Sequence, residues 1–136
     1  MNKQLLDEIV SAFIQKDRRE RFVDLLSRKK RYCDFLDDLL RDPRYFDINN
    51  IIVHFKSAPD AETVYDEFRR LGEKKDSSCY VVSRESDLDG QTMNLDKALL
   101  KIAGTSSESL IYCPASKVGY FEGHEGWRYL LKSGGK

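Results

Sequence analysis

The segment ESDLDGQTMNLD, Glu85 to Asp96, gathers acidic residues at nearly the spacing of a calcium-binding loop. In the EF-hand pattern the first, third and fifth positions supply oxygen ligands, a glycine at the sixth allows the sharp turn, and a carboxylate at the twelfth closes the cage. Here those positions are Glu85, Asp87, Asp89, Gly90 and Asp96. A flexible all-oxygen loop favours calcium over magnesium. Two positions depart from the pattern: the first is the longer Glu where Asp lets the loop close, and the last is the shorter Asp where Glu reaches back across it. Thr92 stands at the usually aliphatic eighth position, and the preceding segment reads as a strand rather than a helix. The competing reading is a turn. In it Asp87 and Asp89 accept Asx-type hydrogen bonds, Gly90 takes positive φ, and Asp96 complements the next helix's N-terminus.

A second group lies in EGHEGW, where Gly123 and Gly126 flank His124 and Glu125 and Trp127 follows at once. Two glycines permit a tight hairpin turn that projects its central polar pair into solvent. With Trp127 beside it, the turn could offer a partner an aromatic anchor and a charged rim. Alternatively Trp127 points inward and staples the hairpin to the core. Cys113 with His124 suggests a thiol nucleophile and its base, with Glu125 orienting the ring. Against it, about six intervening strand residues at ~3.3 Å each separate the two by roughly 20 Å. His54, inside the apolar run IIVHF, has no locally spaced partner. No catalytic residue is assigned.

Lys plus Arg and Asp plus Glu number 23 each among 136 residues, so no basic face emerges from counting. That argues against a dedicated binder of nucleic acid or of anionic membranes. The dense basic runs, Lys16 to Arg21 and Ser27 to Arg31, lie close to Glu20, Asp24, Asp34, Asp37 and Asp38, which reads as a salt-bridged helix face. Neither LGEKK nor AGTSSES has the arrangement of a phosphate loop. The three cysteines include no C-x-x-C pair, and the start of the chain lacks signal-peptide character, so a reducing cytoplasm is expected.

Periodicity then supplies the elements that must position these groups. Leu5, Leu6, Ile9, Val10, Phe13 and Ile14 form one helical stripe, Phe22, Leu25 and Leu26 a second after a start signal at Asp17, and Tyr32, Cys33, Leu36, Leu39 and Leu40 a third, beyond the polar run Ser27 to Arg31, that ends before Pro43. IIVHF and CYVVS read as strands. A helix from Pro59 to Gly72 separates them, and another, capped by Asn94 and ended by Gly104, follows the acidic loop. SLIYC, KVGYFE and WRYLLK, joined by short turns, form an antiparallel meander, and KSGGK reads as a frayed tail. The strand-helix-strand units should place adjacent strands in parallel.

The combination LGEKKDSSCYVVS, DLDG…LDKAL, G…LIYC and YFEGHEGWRYLL resembles a set of small bacterial proteins of no assigned activity, over roughly the last half of the chain. The resemblance implies a bacterial, cytoplasmic α/β domain and transfers no site.

The expected fold is therefore one α+β domain over residues 1–136: a helical N-terminal layer (1–46) and a mixed sheet of about five strands with two crossover helices (51–132). The expected function is a binding or regulatory module acting on a protein partner, with His124, Glu125 and Trp127 as candidate contacts. The alternative is a divalent-metal-dependent hydrolase or nuclease that holds calcium or magnesium on Glu85, Asp87, Asp89 and Asp96, with His54 or His124 as acid or base.

Overall fold

A computed structural model describes residues 1–135. Three helices open the chain: α1 (Lys3–Phe13), α2 (Arg19–Leu26) and α3 (Tyr32–Leu40). Asn2 caps α1 by accepting from the Leu5 amide. Asp17, expected to start α2, instead lies in a 3-10 turn ahead of it. Strand β1 (Ile51–His54) follows, then α4 (Ala61–Arg70), capped by Asp60 through the Thr63 amide at 2.8 Å. The rest is β2 (Ser78–Ser83), β3 (Thr92–Asn94), α5 (Leu95–Ile102), β4 (Ser109–Cys113), β5 (Val118–Glu122) and β6 (Arg128–Lys132). No helix among the described residues is long and apolar enough to cross a membrane.

The strands form one sheet in the order β1-β6-β5-β4-β2-β3, and every neighbouring pair is antiparallel. This corrects the expected sheet in two ways: it has six strands rather than about five, and it is not mixed. Strand β3 escapes a sequence reading because three residues are too few to display alternation. The parallel relationships exist, but not between neighbours. Strands β1 and β2 run the same way with three strands between them, and β3 and β4 run the same way on either side of β2.

Alternation along the strands divides the core in two. Tyr80, Val82, Leu110, Tyr112, Phe121, Tyr129 and Leu131 pack with α1, α2 and α3 on one face. Cys79, Val81, Ile111, Cys113, Val118, Tyr120 and Leu130 pack with α4 and α5 on the other. Covering both faces explains why SLIYC is buried throughout, although one-sided antiparallel strands usually alternate apolar with polar.

The end of the chain is not frayed up to Gly135. The Ser133 amide donates to Lys117 O (3.0 Å) and the Gly135 amide to Lys132 O (3.0 Å). A Cβ on Gly135 would lie 2.5 Å from Asn49 O, so that close approach requires glycine. Lys136, the last residue of the expected tail, lies outside the described residues.

Candidate functional site

The acidic segment folds as the turn of the β2–β3 hairpin. The Leu88 and Asp89 amides both donate to Glu85 O (3.0 Å), and Gly90, at φ +82°, donates to Val81 O (2.8 Å). Asp89 is occupied at both oxygens: Oδ1 accepts from the Ser83 amide (2.9 Å), extending the β2 ladder, and Oδ2 accepts from the Tyr32 hydroxyl on α3 (2.7 Å). Burial and this carboxylate push the Tyr32 phenol well above its usual range. Strand β3 carries Asp96 away into the first turn of α5, where it accepts from the Lys97 amide (2.8 Å). Glu85 and Asp87 face solvent. The four candidate ligands are therefore not gathered around one point. Among the described residues no group of three or more His, Cys, Asp or Glu side chains is placed to share a metal ion.

The turn between β5 and β6 is built differently. At its base Glu122 and Arg128 face each other in register on adjacent strands, both buried. The Arg128 Nε–H donates to Glu122 Oε2 at 3.0 Å. Glu122 also accepts from the Tyr120 hydroxyl (2.5 Å) and from the Gly104 (3.1 Å) and Ser106 (2.7 Å) amides, while Arg128 donates to Ser106 Oγ (3.0 Å). A buried charge needs such a full set of partners. Burial and the neighbouring Glu122 raise the Tyr120 phenol far above its normal value. The same row continues along the sheet through Ser109, paired with Glu122, to Ser83, and the two serine hydroxyls lie 2.7 Å apart.

That base fixes the loop after α5, where Ser106 and Glu108 hold positive φ (57° and 52°), and supports the turn above it. Glu125 and Gly126 take the positive φ there, 60° and 87°. Gly123 has a different role: a Cβ would meet Phe121 Cε2 at 3.0 Å and Trp127 Cβ at 3.1 Å, so it provides space. His124 stands half exposed, with Nδ1 3.5 Å from Glu108 Oε1 and Nε2 3.7 Å from Glu125 Oε1. Its Nδ1 has no hydrogen-bond partner.

Trp127 does not turn fully inward. It remains 37% exposed, and its indole stacks on Tyr129 (6.3 Å between centroids, 20° between planes), whose ring in turn contacts exposed His54 at 4.7 Å. His124, Glu125 and Trp127 line one open groove of about 620 Å³. Its opposite wall comes from Arg41, Asp42 and Arg44 at the end of α3. Arg44 is held by Asp42 (2.7 Å), and its guanidinium keeps the Asp42 carboxyl below the usual carboxylate range. Arg41 is exposed and makes no ion pair among those found in the described residues.

The structure thus brings together the three residues expected at a partner surface, and it adds Arg41 and Arg44, which nothing local in the sequence connects to them. Glu122 and Arg128 also escaped the sequence reading. The signal was available, since opposite charges directly flank the turn on two paired strands. Cys113 and His124 lie at opposite ends of β5, as strand length requires, because Cys113 pairs with Val118 while Glu122 precedes the His124 turn. The adjacent Cys79 thiol and burial push the Cys113 thiol far up, so the closed fold holds it protonated. In the basic runs, Arg21, Arg28 and Arg31 pair with Asp38, Asp24 and Asp34. Family models, curated proteins and solved structures were all compared with the chain, and none of them matches it.

Proposed function

We propose that this chain is a binding module that engages a protein partner through the groove between the end of α3 and the β5–β6 turn. The observation that carries the reading is the Trp127 indole, left exposed on a rigid aromatic support of Tyr129 and His54 and facing Arg41 and Arg44. Tryptophan and arginine dominate binding energy at protein interfaces because each combines large contact area with directional polar groups. The turn is held by the Glu122–Arg128 base, so little ordering cost would accompany association. A bacterial cytoplasmic setting belongs to the same reading, supported by the three free thiols and the motifs of the last half of the chain.

The test is affinity capture from the native cell with the wild-type chain, Trp127→Ala and Arg41→Glu, each shown by its melting curve to be folded. The reading expects one partner recovered by the wild type and lost by both variants. A partner that both folded variants retain would remove the groove from the interface.

A further inference from the structure

The pairing of β2 with β4 brings the two buried cysteines face to face. On β2 the odd residues direct their backbone toward β3: the Val81 amide donates to Gln91 O (2.9 Å), and the Ser83 amide is capped by Asp89 (2.9 Å). The Arg84 amide instead donates toward β4, to Glu108 O at 3.1 Å. Even residues of β2 therefore make hydrogen-bonded pairs with β4, and odd residues make the non-hydrogen-bonded pairs in which side chains approach most closely. Ser83 and Ser109 illustrate that spacing with hydroxyl oxygens 2.7 Å apart.

Continuing the register one step beyond Tyr80↔Tyr112 pairs Cys79 with Cys113 at a position of the same kind. Both side chains are buried in the same core cluster under α4 and α5. A pair of this type has Cα atoms ~4.5 Å apart, inside the range of about 4.4–6.8 Å that a disulfide spans. We propose that Cys79 and Cys113 form a reversible redox pair, oxidised by a peroxide to a cross-strand disulfide that staples β2 to β4.

The chemistry balances with hydrogen peroxide as the oxidant. The first sulfur attacks one peroxide oxygen, the O–O bond breaks, and the products are a sulfenic acid and one water. The second sulfur then displaces the sulfenic oxygen, which leaves as a second water carrying the remaining thiol proton. Two thiols are oxidised and one peroxide is reduced. The closed fold slows the first step, because a buried protonated thiol is a poor nucleophile. The Cys79 thiol donates to the Met93 carbonyl (3.2 Å) of β3, a three-residue strand at the sheet edge. Opening of this short strand would expose Cys79 while β4 stays paired to β5.

The experiment uses the full chain carrying Cys33→Ser, which removes the exposed third thiol. The folded protein is treated with hydrogen peroxide, quenched, denatured and alkylated. The expected result is joint protection of Cys79 and Cys113, a linked peptide pair lighter by two hydrogens, a raised melting temperature, and recovery of both thiols with dithiothreitol. Full alkylation of both cysteines after treatment overturns the proposal, as does oxidation of either one without a link. Adding Cys79→Ala, or Cys113→Ala if the first variant folds poorly, should abolish the rise in melting temperature. A rise that persists in either variant also overturns it.

Discussion

In the acidic turn after β2 the fold itself consumes the chemistry: one Asp89 oxygen completes the β2 ladder and the other ties down Tyr32 of α3. In the β5–β6 turn that structural work is done at the base, where Glu122 and Arg128 satisfy each other and anchor the loop after α5. His124, Glu125 and Trp127 above them are left facing a groove. The difference teaches that acidic density is a poor guide to a site. What counts is whether hydrogen bonds within the fold already saturate the polar atoms.

The comparison is broken most severely at Arg128. Arg128→Ala leaves the Glu122 charge buried and unpaired and should cost about 3–5 kcal/mol by denaturant unfolding. Adding Glu122→Leu should restore only part of that loss, because the Gly104 and Ser106 amides would then lose their acceptor. Full recovery would mean that the base is an ion pair and nothing more.

Asp89→Ala comes next. It orphans the Ser83 amide and the Tyr32 hydroxyl together, with an expected loss of about 2–3 kcal/mol. A stability change below 0.5 kcal/mol, on the order expected of an ordinary surface substitution, would show that the turn is not held by this residue.

Trp127→Ala should cost about 2 kcal/mol, less than the ~3–5 kcal/mol of a fully buried aromatic, because part of the indole already meets solvent. A loss at the upper end of that range would reassign Trp127 to the core and leave the groove without its anchor. The smallest effect belongs to Asp87→Asn, whose side chain faces solvent beside the occupied Asp89. Its midpoint should stay within about 0.5 kcal/mol of the wild type. The melting temperature of the wild type should also be unmoved by millimolar calcium or magnesium, since only a ligand of the folded state shifts it. A calcium-dependent rise that Asp87→Asn abolishes would overturn the contrast between the two turns.

The elements were legible because their signals are local. Helical stripes, the strand SLIYC, the stop at Gly72 and the meander at the end of the chain all follow from side-chain period and turn residues read a few positions at a time. Strand β3 was not legible, since three residues matched to β2 earn their place only through pairing. Of the candidate site, His124, Glu125 and Trp127 could be read from one short turn, whereas Arg41 and Arg44 could not, because about eighty residues of chain separate them from it.

The sequence by itself determined the helices and every strand except β3, that both charge signs are balanced, and that two short segments carry the polar groups worth testing. Tertiary structure decided the rest. Strand order places β1 next to β6 and β2 beyond β4, which brings the end of α3 to the β5–β6 turn and lays the strand that carries Cys79 beside the one that carries Cys113. The physical reason is that period and propensity act over a few residues, while the partners of a buried or exposed side chain are chosen by packing between segments far apart in the chain.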